Sequence, residues 1–155
     1  MKRSLLLALC LLGQSALAEE GKVYLLATFV LGGSSLAQSI FLNEPDITTL
    51  DGCREAVKQG QRDRDWMKYH HILRRDKMQG FTGEVQYRCV TSNLEIDSWG
   101  DRARYEHAYL VTVDAASVMS LRKTESLAAC SSELRSVAAG LSVSQCVKSN
   151  QRILQ

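Results

Sequence analysis

Cysteines are the residues in this sequence whose number and spacing point most directly to chemistry. Five are present, and Cys10 lies in an N-terminal stretch that we expect to be removed from the mature chain. The four that remain are an even number, which in an exported protein is typical of two disulfide bonds. No C-x-x-C pattern occurs, so the sequence supports neither a thioredoxin-type redox site nor a zinc ribbon. The four are Cys53, Cys89, Cys130 and Cys146.

Histidines offer little support for a metal site or a catalytic base. His70 and His71 are adjacent, so on a helix they would point about 100° apart and could not readily hold one metal ion together. No G-x-S-x-G pattern and no phosphate-binding glycine loop occurs. We therefore expect no metal, no cofactor and no enzyme. The alternative in this class is a small periplasmic hydrolase assembled from His70, His71 and Asp101, since such sites leave no sequence motif.

The N-terminus has the pattern of a secretory signal peptide. Two basic residues precede an apolar run, and a small-x-small processing site at 16–18 stands directly before Glu19. We expect residues 1–18 to be removed by cleavage near Ala18, which makes the mature protein periplasmic or secreted. No second apolar stretch is long enough to span a bilayer, so we expect no stable membrane insertion.

Charge is balanced once that leader is removed. The chain has 19 Lys and Arg against 17 Asp and Glu, and two of the basic residues, Lys2 and Arg3, lie in the leader. Overall charge therefore gives no argument for binding to nucleic acid or to an anionic membrane. The expected partner is another envelope or periplasmic protein.

One pattern, Cys-Val-x-Ser-Asn, occurs twice, in YRCVTSN (87–93) and in SQCVKSN (144–150). Working backwards from each copy, the two halves of the chain can be aligned. The matched segments are an apolar strand (22–30 with 107–113), a second strand (39–43 with 117–123) and a helix (46–57 with 124–140). The alignment predicts a strand-strand-helix-strand unit that occurs twice. We interpret each Ser-Asn as a polar strand exit, because these residues favour turns.

The predicted helices carry one cysteine each. Leu50 and Leu127 stand three residues before a cysteine, which places Leu and Cys on one helical face. In the second copy we expect Thr124 to be the N-cap and Gly140 the C-terminal stop. A helix that packs over its own sheet brings its cysteine near that of the last strand. The predicted disulfides are Cys53–Cys89 and Cys130–Cys146.

These elements predict an α+β fold made of two tandem strand-strand-helix-strand units with a ferredoxin-like layout, each stapled by a helix-to-strand disulfide. The first unit covers 19–93, a connector covers 94–106, and the second unit covers 107–155. The units form one pseudo-symmetric domain or two small abutting ones. The layout is superficially similar to the glycan-binding modules of bacterial division proteins, although their helix precedes the strand pair. The exported, stapled unit also resembles small bacterial periplasmic proteins, a likeness that implies compartment rather than activity.

The two copies differ most at residues 61–80, which account for the longer cysteine spacing in the first copy. Apolar and aromatic residues recur there at helical spacing, so we expect a helical insertion. It serves either as an amphipathic cover over one end of the sheet or as a recognition surface, since Trp, Tyr and Arg are enriched at binding hot spots. The candidate binding residues are Arg64, Trp66, Tyr69, His70 and Arg74, together with Trp99 of the connector.

The leading functional hypothesis is a non-enzymatic binding protein, such as an adaptor, inhibitor or immunity-type factor, that engages a protein partner through the insertion. The alternative within binding is a module for cell-wall glycan or another envelope polymer, with Trp66, Tyr69 and Trp99 stacking on sugars. For Trp99 we favour a plug over the junction between the two halves, because it stands in a polar turn at 99–101.

Overall fold

A computed structural model describes residues 21–32, 37–63, 83–100, 102–137 and 139–154, and the structural statements below concern those residues. The expected signal peptide at 1–18 and most of the predicted insertion lie outside them. In chain order the described elements are β1 (Lys22–Leu31), β2 (Ala37–Leu42), α1 (Leu50–Asp63), β3 (Gly83–Ser92), β4 (Glu95–Ile96), β5 (His107–Val113), β6 (Met119–Thr124), α2 (Leu127–Leu134), β7 (Val143–Ser149) and β8 (Ile153–Leu154).

Six of the strands form one mixed sheet in the order β3-β1-β2-β7-β5-β6, and β4 and β8 form a separate antiparallel pair. Strand β1 lies between β3 and β2, and β5 lies between β7 and β6, in each case antiparallel to both neighbours. The contact between β2 and β7 is parallel and joins the two triplets. The predicted α+β class is confirmed, with one large sheet rather than two separate ferredoxin-like ones.

The outer strands of this sheet approach each other. The backbone N–H of Thr91, in β3, donates to the carbonyl oxygen of Ser117 at 2.9 Å, and Thr91 forms a parallel bridge with Val118 next to β6. The sheet therefore curls until its two edges touch. We call the β2–β7 contact, at Gln38 and Lys148, the first seam and the β3–β6 contact the second seam.

The hydrophobic core fills the interior of the curled sheet. Alternate residues of six strands contribute to it, as expected for strands with one face turned inward. The rings of Phe41 and Tyr109 meet edge to face with centroids 6.4 Å apart. The main buried side chains of this core are Tyr24, Leu26, Phe41, Val90, Tyr109, Val111, Met119 and Val147.

Both helices pack on the outer face of the sheet, and a disulfide ties each helix to a strand. Cys53 of α1 bonds Cys89 of β3, and Cys130 of α2 bonds Cys146 of β7, with the two Cα atoms of each bond 5.9 Å apart. Cys53 and Cys130 are both buried. The two predicted cysteine pairings are thus confirmed, and they fit an oxidising compartment.

Helix α1 starts and ends later than the sequence predicted. The Thr49 hydroxyl accepts a hydrogen bond from the Gly52 N–H at 3.1 Å, so Thr49 caps the first turn. The helix then continues to Asp63, whereas the prediction placed the helix at 46–57 and the insertion from residue 61. Residues 61–63 therefore belong to the last turn of α1.

Helix α2 is shorter than predicted at both ends. Its N-cap is Ser126, whose hydroxyl accepts from the Ala129 N–H at 3.1 Å. The expected cap, Thr124, is the last residue of β6 and pairs with Ala108. After Leu134 the chain tightens into turns that end the helix before Gly140, whose φ of 96° belongs to the turn that precedes β7.

Candidate functional site

The repeated Ser-Asn motif forms the turns that follow strands β3 and β7. The Ser92 hydroxyl accepts from the Leu94 N–H at 3.3 Å, and the Ser149 hydroxyl accepts from the Gln151 N–H at 3.2 Å. A buried tyrosine reaches each exit: Tyr24 donates to the Leu94 carbonyl at 2.9 Å, and Tyr109 donates to the Gln151 carbonyl at 3.0 Å. The motif therefore has a structural role, because its serines and these tyrosines satisfy backbone groups at the turns.

Burial raises the pKa of both tyrosines above the ordinary value, an effect that a backbone hydrogen bond at Ile96 or Ile153 partly offsets. Because the pKa of each tyrosine is higher in the folded state than in the unfolded state, ionisation disfavours folding. The contribution of the two tyrosines to the free energy of unfolding is therefore full below pH about 10, the unfolded pKa, and is lost as the pH rises through the folded pKa.

We expect the melting temperature to fall steeply above pH about 10, because ionisation removes the proton that each tyrosine donates. The double variant Tyr24→Phe, Tyr109→Phe should start from a lower melting temperature and show a shallower alkaline fall. Thermal melts over a pH series, with tyrosinate absorbance followed in parallel, measure both. An unchanged alkaline slope in the double variant would contradict this assignment.

A buried glutamine that the sequence reading did not single out joins three parts of the fold. The side chain of Gln151 is 1% exposed. Its Oε1 accepts from the Phe41 N–H at 2.7 Å, and its Nε2 donates to the carbonyl oxygens of Phe41 and Asp97, each at 2.8 Å. Leucine stands at the matched position, 94, in the first copy. That difference between the two copies is the only sequence signal that could have pointed to it.

Trp99 lies on the outer face of the sheet. It packs against the cluster of Ala27, Ile40 and Leu42, and its indole N–H donates to the Tyr105 hydroxyl at 3.3 Å. These three residues belong to β1 and β2 of the first half, so a plug over the junction between the two halves stays a prediction. A role for Trp99 in ligand binding stays a prediction.

The other candidate binding residues, Arg64, Trp66, Tyr69, His70 and Arg74, lie outside the described residues, so their role stays a prediction. The described chain gives the two ends of that segment. Helix α1 ends at Asp63 and β3 begins at Gly83.

A groove of about 380 Å³ lies between the first turns of α1 and the last residues of β3, along the second seam. One wall is a face of α1, another is the outer edge of β3, and the third is formed by the end of β5, the turn before β6 and the residue before β7. Three cationic side chains line it, Arg54, Lys58 and Arg88. Its remaining lining residues are Val57, Tyr87, Cys89, Val90, Val113, Ser117 and Ser142, so none of the described residues that line it carries a carboxylate.

A second, smaller cavity of about 120 Å³ lies between α1 and the start of the sheet. It is almost entirely apolar, and its lining residues include Leu25, Leu42, Ile47, Cys53 and Val57. Glu44 is its one ionisable lining residue among those described. This cavity can accept a hydrophobic group, but nothing around it selects one.

Within the described ranges, no three His, Cys, Asp or Glu residues lie close enough together to hold a metal ion. Of the described helices, none has the length and apolar character needed to cross a membrane.

Comparison with known proteins gives no relative. No protein-family model, no curated protein and no solved structure matches this chain.

Proposed function

We propose that this chain is an exported, non-enzymatic binding protein, an adaptor, inhibitor or immunity-type factor that engages another envelope or periplasmic protein. The observation that carries the proposal is the cationic groove between α1 and β3, the two elements that the 64–82 segment connects. The Trp, Tyr and Arg residues of that segment would supply further contacts to the partner, since these residue types are enriched at binding hot spots.

The proposed compartment is the periplasm or the extracellular space, reached after cleavage of residues 1–18 near Ala18. Two disulfides support it, because such bonds persist in oxidising compartments and are rare in the cytosol. Intact-mass analysis of the exported protein should place its N-terminus near Glu19.

We also propose that the two halves, 19–93 and 107–155, arose by duplication of one strand-strand-helix-strand unit. Matched positions make matched contacts in support of this. Each helix is tied by a disulfide to the last strand of its own half, and Ile96 pairs with Ile153, the two positions that follow the strand exits by the same interval. The first and second seams likewise join matched positions, Gln38 with Lys148 and Val118 with Thr91.

The segment that only one copy has is the part to test. Replacing residues 64–80 by a short glycine-serine linker leaves all of α1 and both disulfides in place, so we expect export and folding to persist. Capture of a protein partner from periplasmic extract should be lost. Trp66→Ala should weaken capture while changing the melting temperature little.

Two results would overturn the proposed function. The first is a decrease of about 3 to 5 kcal/mol in the free energy of unfolding of Trp66→Ala while partner capture is retained. That decrease is the cost expected when a packed tryptophan is truncated. The second is failure of the unmodified protein to capture any protein while it co-sediments with purified cell wall. That outcome would favour the envelope-polymer alternative.

A further inference from the structure

The edge of β3 offers hydrogen-bonding groups to the groove. The Thr91 N–H points away from β1, because it donates to Ser117 across the second seam. Alternate residues of an antiparallel strand direct their backbone groups to the same side, so Cys89 also presents its N–H and C=O to that side. Among the described residues, the backbone of Cys89 has no hydrogen-bond partner there. Such an edge can pair with an added strand.

The charged side chains that line the groove are all cationic. Arg54 and Lys58 lie one helical turn apart on α1, and Arg88 lies on β3 at the same groove. Arg54 contacts Asp51 at 2.7 Å and Lys58 contacts Glu55 at 3.7 Å. Both of these ion pairs are exposed to solvent, so they stabilise little and can exchange for a ligand carboxylate.

Arg88 differs from the two helical cations. Its side chain is exposed and makes no ion pair within the described part of the chain. The matched position in the second copy is Gln145, so the cation belongs to the first half alone. An arginine beside an available strand edge selects for an acidic side chain on whatever pairs with that edge.

We propose that the groove receives an extended acidic peptide segment of a protein partner, which adds as a strand to the outer edge of β3. Its backbone pairs at Cys89. Successive side chains of a strand point to opposite faces, so carboxylates on the side of α1 meet Arg54 and Lys58, and a carboxylate at a neighbouring position on the other side meets Arg88. The remaining side chains are aliphatic and pack near Val57 and Val113. The volume, about 380 Å³, lies in the range of about 300 to 1,000 Å³ that binding sites have. This is strand addition, with main-chain bonds for affinity and side chains for specificity.

The inference rests on the proposed function and names the chemistry of the partner. Its test uses the mature chain and a short fluorescein-labelled peptide in which adjacent pairs of glutamates and valines alternate, so that both faces of the added strand carry carboxylates. Binding is followed by fluorescence anisotropy. We expect binding that weakens with added salt, and no binding of a peptide with lysine in place of glutamate. Arg54→Ala and Lys58→Ala should each weaken binding about threefold, and Arg88→Glu about tenfold.

Two controls separate strand addition from simple charge attraction. Lys123→Glu makes the same charge change at an exposed position of β6 outside the groove, and it should leave binding within about twofold of the unmodified protein. A peptide N-methylated at alternate backbone nitrogens should bind at least about tenfold more weakly, because it cannot donate those hydrogen bonds.

Three results would overturn the inference: no binding of the acidic peptide, an equal loss in Lys123→Glu and Arg88→Glu, or full binding of the N-methylated peptide. Its failure is distinguishable from that of the proposed function. If Arg88→Glu still captures the protein partner while replacement of 64–80 abolishes capture, the protein-binding function stands and the groove is not its site.

Discussion

Replacing Cys53 and Cys89 together by alanine will lower the free energy of unfolding by nearly 4 kcal/mol, and replacing Cys130 and Cys146 will lower it by about 3 kcal/mol. The order follows from chain entropy, because the first bond closes a loop of sequence separation 36 and the second one of 16. Removing either bond frees the unfolded chain and leaves the native contacts nearly unchanged. Urea unfolding of the two double variants, beside the oxidised unmodified protein, measures both values.

The bonds themselves are checked first by peptide mapping without reduction, which should recover Cys53 with Cys89 and Cys130 with Cys146. A peptide that joins Cys53 to Cys130, or two alkylatable thiols in the exported protein, would contradict the assignment. A larger loss for the shorter loop than for the longer one would show that native packing, and not loop closure, dominates.

Gln151→Leu should lower the free energy of unfolding by about 2 to 4 kcal/mol, because it leaves buried backbone groups without partners. These groups are the N–H and C=O of Phe41 and the C=O of Asp97, which lie on β2 and just after β4. Leucine keeps most of the side-chain volume, and it is the residue that the first half has at the matched position. The loss therefore measures hydrogen bonding more than packing, and urea unfolding detects it.

Gln145→Leu is the matched control for this experiment. Gln145 is only partly buried and makes a single long hydrogen bond, 3.3 Å from its Nε2 to the Thr28 hydroxyl. Its replacement should cost no more than about 1 kcal/mol. Equal losses in the two variants would mean that Gln151 does not have the structural role assigned to it.

The cysteine pairing could be predicted from sequence because it depends on local order. Helical spacing fixes which way Cys53 and Cys130 point, and the following strand supplies the only other cysteine of each half. The strand exits were predictable for the same reason, since Ser92 and Ser149 bond to backbone groups two residues further on. Interactions of short range leave a pattern that can be read along the chain.

Long-range interactions left no such pattern. Gln151 is 110 residues from Phe41 in sequence, and a glutamine after a strand is ordinarily a solvent-exposed residue. The parallel seams also could not be predicted, because strand alternation says which face is buried and nothing about which edges meet. At the start of α2, both Thr124 and Ser126 have cap-forming side chains, and the pairing of Thr124 with Ala108 decides between them.

The candidate groove also could not be predicted from sequence, because it brings together residues of separate elements. Arg54 and Lys58 could be placed on one helix face from their spacing, but Arg88 belongs to a strand that begins after the segment 64–82. The disulfide between α1 and β3 ties together the two elements that carry these cations, and its position was predicted without that consequence.

Each disulfide lies within its own half of the chain, and neither joins the two halves. Covalently, the halves are held together only by the connector. The non-covalent attachment includes the two seams, the β4–β8 pair, the Gln151 hydrogen bonds and the shared interior. A molecule that opens at both seams keeps each half internally closed. At high concentration, two opened molecules can therefore exchange halves and close again as a swapped dimer that contains every native contact.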